Sequence, residues 1–264
     1  MKIGFIGAGN MAKAMMGGII KNNIFSSDQI IASDANSTAL EGAKNDLGIN
    51  ITPDNKQVVK ESEIVVLSVK PQYYKAVIKE IKDLVTEEKI VITIAPGQTL
   101  EYLEELFEKS IKIVRTMPNT PALVGEGMTG VCANESVTTS ELEYVSSILK
   151  GFGKVQVVGE NLMDVVVGVS GSSPAYVFML IEAMADAAVS DGMPRTVAYE
   201  FAAQAVLGSA KMVLDTKKHP GELKDMVCSP GGTTIEAVRV LEEKGFRSAM
   251  IEAMKACTKK AKGM

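Results

Sequence analysis

Hydrophobic and polar positions change their rhythm once along this chain. In the first part, short apolar runs recur at residues 2–7 (KIGFIG), 29–33 (QIIAS), 63–69 (EIVVLSV), 89–95 (KIVITIA) and 111–117 (IKIVRTM). They are rich in β-branched residues and barely alternate, as expected of strands covered on both faces. Amphipathic stretches such as YYKAVIKEIKDLV and LEYLEELFEK lie between them. Strands alternating with helices predict right-handed crossovers and a parallel sheet. GMTGVCAN and GKVQVVG predict two more strands at the sheet edge, flanking the helical TSELEYVSSILKGFG.

Near Asn161 the texture becomes helical and stays so. Residues 161–193 form one long apolar helical pattern, interrupted at Gly171-Ser172-Ser173-Pro174, where proline lacks an amide hydrogen. Asp191-Gly192 with Pro194 marks a stop and a new start. RTVAYEFAAQAVLGSAKMVLDT, HPGELKDMV, TTIEAVRVLEEKG and FRSAMIEAMKACTKKAK predict four further helices. The expected organisation is an α/β domain over residues 1–160 and an all-α domain over 161–264. Helices apolar around most of their circumference must be buried, often by another subunit. An oligomer formed through this half is therefore expected. No run of about 18 uninterrupted apolar residues occurs, so no membrane span is expected.

Composition removes several function classes. The chain has 264 residues, 46% hydrophobic and 23% charged, with a net charge of -4. That balance argues against a nucleic-acid-binding surface. Three scattered cysteines, Cys132, Cys228 and Cys257, read as reduced thiols of a cytoplasmic protein. The apolar N-terminus resembles a leader, but glycines and Lys13 interrupt it. A single histidine, His219, excludes multi-histidine zinc sites and makes serine-histidine chemistry improbable; before Pro220 it reads as a capping residue. No metal site is expected.

The N-terminal interruption carries the chemistry. GFIGAGNMAKAMM sets Gly7-x-Gly9-x-x-Ala12 between a strand and a helix, which makes the first domain Rossmann-type and doubly wound. Gly7 makes the turn, Gly9 admits a pyrophosphate, and Ala12 permits close helix–strand packing. With Ala8 forming the loop, Asn10 and Met11 begin the helix whose amides would hold the anion. The end of the second strand brings Ser33, Asp34 and Asn36 to the adenosine ribose. Asp34 on the 2'-hydroxyl would favour NAD; with Asp34 turned away, Ser33 and Asn36 would meet a phosphate. Further strand-end loops add Val69, Lys70 and Pro71, then Ala95, then the rigid MPNTPALVGEG around Asn119, a wall near the nicotinamide. Lys70 is either catalytic, phosphate-facing or merely solvated.

GFIGAGNMA, SVKPQ, MPNTPALVGEG, SGSSPAYVF and above all DMVCSPGGTTIEAV resemble the pyrroline-5-carboxylate reductase family, in order and over nearly the whole chain. The resemblance implies reduction of 1-pyrroline-5-carboxylate to L-proline, the last step of proline biosynthesis. NADPH is the commonly preferred cofactor, with NADH the alternative. It implies a C-terminal helical domain interleaved in a homodimer, with dimers often assembling into decamers, and a polar adenosine contact at Asn55. Ser173 stands where the family commonly has glycine. Gly231-Gly232-Thr233-Thr234 opens a helix whose amides and dipole suit an anion without arginine, and the threonines are able to cap it. The Gly232 and Thr233 amides are expected on the substrate carboxylate and the Thr234 hydroxyl near the imine nitrogen, with Ser172 and Ser173 as further lining candidates. A hydroxyacid dehydrogenase would want a lysine on the first long helix of the second domain, and residues 161–193 have none. A non-catalytic nucleotide sensor would need no second anion site.

Overall fold

A computed structural model of the chain describes residues 3–263. An eight-stranded sheet is built from β1 (Ile3–Ile6), β2 (Ile30–Ser33), β3 (Asn50–Thr52), β4 (Ile64–Leu67), β5 (Ile90–Thr93), β6 (Lys112–Met117), β7 (Gly127–Ala133) and β8 (Gly153–Val157). Their spatial order is β3-β2-β1-β4-β5-β6-β7-β8. The first six run parallel, β7 is antiparallel to β6, and β8 is parallel to β7. Order reverses between β2 and β4 on either side of β1, the place where doubly wound sheets bind ligands. The short edge strand β3 has no apolar run, and the hydrophobic pattern does not announce it.

The sheet is flanked by α1 (Asn10–Lys21), α2 (Ser37–Leu47), α3 (Asn55–Glu61), α4 (Tyr74–Ile81), α5 (Leu100–Phe107) and α6 (Thr139–Leu149). All residues of β1, β4 and β5 are buried, because helices cover both faces. Alternate side chains divide between two cores. Ile3, Phe5, Ile64 and Val66 pack with α1 residues Met15, Met16 and Ile19. Ile6, Val65, Leu67 and Val91 pack with Tyr74, Ile78, Leu103 and Phe107. Side chains cap four of these helices: Asn36 accepts from Ala39 N, Asp54 from Lys56 N, Thr99 from Tyr102 N, and Thr138 forms a capping box with Glu141.

The chain divides into two compact units, one running through Ser172 and regaining the chain from Cys257, the other Ser173–Ala256. In the first unit α7 (Met163–Val166) passes into a π turn, Val167–Gly171. Ser172 N donates to Val167 O at 2.8 Å, and Cys257 Sγ donates to Ser172 Oγ at 3.2 Å. The interruption read from the sequence is thus a widened turn, with Pro174 placed in the first turn of the next helix, where its missing amide costs little.

The second unit holds α8 (Ser173–Ser190), α9 (Arg195–Thr216), α10 (Pro220–Met226), α11 (Thr233–Glu243) and the start of α12 (Phe246–Ala261). Its buried residues in α8 and α9 are Pro174, Ala185, Ala198 and Ala202. Large apolar side chains stand uncovered, among them Phe178 at 62%, Met179 at 67% and Phe201 at 66%. Glu160–Ser190 is long and apolar enough, at a mean hydropathy of 1.5, to cross a membrane by length and composition, with 11% of its window buried. A count of uninterrupted apolar residues does not show it, because Ser170, Ser172, Ser173 and Pro174 break the run between Asp164 and Glu182 without making the average polar.

Candidate active site

Gly7 lies where β1 turns into α1, and its backbone needs glycine. Its φ is +108°, and a Cβ there would sit 2.7 Å from the Ser68 carbonyl carbon and oxygen. The loop is tied on both sides: Gly7 N donates to Ser33 O at 2.7 Å, and Ser68 Oγ donates to Gly7 O at 2.7 Å. Gly9 differs. Its φ of −70° and ψ of −178° suit any residue, and a Cβ would meet nothing within 4 Å. Neither strain nor packing requires glycine there, so the open space before α1 is the remaining reason for it. Gly9 is also the N-cap of α1, with no side chain on the first amides. That free positive end fits a pyrophosphate.

Gly9 borders a cleft of about 590 Å³ that it shares with Gly7, Asp34, Asn36, Asn55, Val69 and Lys70. Seven predicted residues from four separate segments thus meet in one place. Asp34 is held inward: its carboxylate accepts from Ala8 N at 2.6 Å and from Asn36 N at 2.8 Å. Asn36 spends its side-chain oxygen on capping α2 and keeps its amide NH2. Ser33 is buried and donates to Asn55 Oδ1 at 2.7 Å, so it supports the cleft from below. Asn55 Nδ2 donates onward to Glu80 at 2.9 Å.

Other predicted residues stand back from this cleft. Ala8 and Ala95 are buried. Asn10 and Met11 begin α1, and Pro71 opens the short turn before α4. Asn119 is a buried clip, donating to Ser170 O at 2.9 Å and accepting from Met128 N at 2.8 Å. Reading motifs alone overlooked Ile6, Ala35, Ser68, Tyr73, Ala76 and Val77, which complete the lining. Ser68 was within reach of the strand-end rule; the three on α4 and its lead-in needed the helix register. Beneath them the Tyr74 hydroxyl donates to Leu67 O at 2.8 Å and lies 2.7 Å from Thr93 Oγ1. Burial pushes it up to about 12, so it stays protonated as a brace between strand ends.

In the second unit, Gly231 adopts φ +71° and Gly232 is the N-cap of α11. The threonines differ from expectation: they occupy the first helical positions and neither caps the helix. Gly232 N donates to Ser229 O at 3.0 Å, so this amide closes the turn instead of facing an anion. The amides of Thr233, Thr234 and Ile235 have no acceptor within the helix. A Cβ at Gly232 would lie 2.4 Å from Ser229 Oγ, a hydroxyl that can rotate away, and 3.2 Å from Ser229 O. His219 caps α10 by accepting from Gly221 N at 3.0 Å, as the sequence suggested.

A doubly wound sheet with a glycine-capped first helix and a cleft at its switch point defines a dinucleotide-binding protein. The comparisons narrow this class. The family model for NADP oxidoreductase, coenzyme F420-dependent, matches residues 2–97, and that for pyrroline-5-carboxylate reductase dimerisation matches residues 160–264. The chain is 52% identical to pyrroline-5-carboxylate reductase of Escherichia coli, over 98% of this chain and 97% of that one. A Plasmodium falciparum pyrroline carboxylate reductase solved with NADP bound superposes with a TM-score of 0.92 at 32% identity, covering 100% and 97% of the two chains. The Coxiella burnetii pyrroline-5-carboxylate reductase gives 0.91 at 38% identity, covering 99% and 97%. The chain belongs to the pyrroline-5-carboxylate reductase family.

Proposed function

We propose that this chain reduces 1-pyrroline-5-carboxylate to L-proline with NADPH as the favoured cofactor, as the last step of proline biosynthesis. Family membership at 52% identity over 98% of the chain carries this reading. The residues fit a dinucleotide: Gly7 shapes the turn, Gly9 leaves it open, and the α1 amides meet the pyrophosphate. Each Asp34 oxygen accepts from a backbone amide and Asn55 Nδ2 donates to Glu80, so the NH2 of Asn36 and the Lys70 ammonium are the donors that would meet a 2'-phosphate at the adenosine end. A bound reduced nicotinamide supplies the hydride.

The chain's own tasks are to hold the substrate carboxylate, orient the ring and exclude alternatives. The Thr233 amide, with those of Thr234 and Ile235, takes the carboxylate at the positive end of α11. Gly231 and Gly232 shape the approach. The Thr234 hydroxyl stands at the imine nitrogen and orients the C=N bond. His219 is occupied in capping, and a threonine hydroxyl is a poor acid, so the nitrogen is protonated from solvent or arrives protonated. An iminium accepts hydride readily because its charge is cancelled in the transfer. The rate advantage then rests on proximity and orientation.

The uncovered apolar faces of α8 and α9 fit a homodimer formed through the C-terminal helices, with association of dimers into a decamer as the larger assembly. The same burial accounts for the apolar Glu160–Ser190 run without a membrane. A cytoplasmic location fits a biosynthetic reductase with three free thiols. The deciding assay mixes purified protein with 1-pyrroline-5-carboxylate and NADPH or NADH and follows loss of reduced-nicotinamide absorbance. Loss with NADPH exceeding that with NADH is expected; no loss with either overturns the function.

A further inference from the structure

The cleft extends past the residues that a pyrophosphate and ribose require. Beyond Asp34 it reaches the start of α4, where Tyr73, Ala76 and Val77 line it. These positions are three and four apart and share one helix face. Two adjacent tyrosines there behave in opposite ways. Tyr74 is 1% exposed and braces β4 and β5 through its hydroxyl. Tyr73 is 53% exposed and lines the cleft.

A large uncovered ring contributes little to this fold. Set beside Ala76 and Val77, however, it adds an apolar side to a cleft that also holds the polar Asp34, Asn36, Asn55, Ser68 and Lys70. At the carboxyl end of β2, Asp34, Ala35 and Asn36 stand where the adenosine ribose is read. A base attached to that ribose needs an apolar surface next to it. We propose that Tyr73 is the stacking platform for the adenine of the bound dinucleotide and sets cofactor affinity without touching the reacting atoms. This inference rests on the dinucleotide reading above.

The test uses full-length Tyr73→Ala and Tyr73→Phe, with dissociation constants from nicotinamide fluorescence. Base–aromatic stacking predicts binding about tenfold weaker in Tyr73→Ala. NADPH and NADH should weaken equally, because both carry adenine. Tyr73→Phe keeps the ring and should bind as the parent does. Reduced nicotinamide mononucleotide lacks adenine, so its KM should be the same in parent and Tyr73→Ala. Unchanged NADPH affinity in Tyr73→Ala overturns the proposal, as does a parallel rise in the mononucleotide KM, which would mean a disturbed loop. Binding is read without turnover, so the two readings fail separately. Tyr73-dependent NADPH binding without pyrroline reduction sinks the reaction alone, and normal reduction with Tyr73-independent binding sinks the platform alone.

Discussion

Gly7 and Gly9 sit two residues apart in one loop, yet replacing each by alanine should have opposite consequences. Gly7→Ala forces a side chain into φ +108°, with its Cβ 2.7 Å from the Ser68 carbonyl. Backbone strain of about 1–3 kcal/mol adds to overpacking of about 1–3 kcal/mol, because backbone atoms cannot swing aside. A loss of about 3 kcal/mol or more should lower the melting temperature by about 6 °C or more. Gly9→Ala meets no atom within 4 Å and has an ordinary backbone conformation. Its stability should be unchanged or raised by about 0.4–1 kcal/mol through a stiffer unfolded chain. The added methyl does occupy the space before the α1 amides. Losing even one charge-assisted hydrogen bond costs about 1.5–3 kcal/mol, which is a tenfold or greater loss of NADPH affinity. Thermal melts without ligand and fluorescence titration with NADPH measure the two quantities separately; the chain has no tryptophan to add background. A Gly9→Ala protein that melts well below the parent, or that binds NADPH equally well, refutes the reasoning.

Thr234→Ala should lower turnover substantially while leaving NADPH affinity unchanged, and Thr234→Ser should restore much of it; steady-state kinetics with both cofactor and substrate varied would show an unaffected rate if the assigned role is wrong. Arg115 is buried between Glu160 at 3.0 Å and Asp164 at 3.3 Å. Arg115→Met should cost about 2–3 kcal/mol in urea denaturation, below the full price of a broken buried pair because both carboxylates keep some hydration; an unmoved midpoint counts against the network. Lys112, hydrogen-bonded to Glu141 at 2.6 Å, holds that carboxyl down from 4.5 to about 2. A lowered native value means stability present above pH 4.5 and lost as pH falls toward 2; Glu141→Gln should flatten that acid limb, and a parallel limb in the variant would exclude the pair as its source.

Strands of unbroken β-branched residues and helices of 3.6 periodicity were legible in the sequence because their spacing is dictated locally. So was the glycine loop, whose residues are contiguous and whose strand–turn–helix context surrounds it. The edge strand β3 was not legible, since three residues paired on one side need no apolar pattern. The side-chain roles within motifs were also hidden. Asp34 turns inward to Ala8 N, Ser33 goes under Asn55, and Gly232 spends its amide on Ser229. Each depends on a partner that local spacing does not orient.

By itself, the sequence determined the element types, the change to helices near residue 161, the free amides at two glycine-started helices and the family. Those follow from backbone preferences and periodicity, which act over a few residues. Only the tertiary structure decided what a side chain would meet in that loop, the Ser68 carbonyl at Gly7 and nothing within 4 Å at Gly9. It also separated Tyr73 from Tyr74, one ring on a cleft and one hydroxyl inside the core. Adjacent residues of the same type take different roles because burial depends on what other segments bring to them.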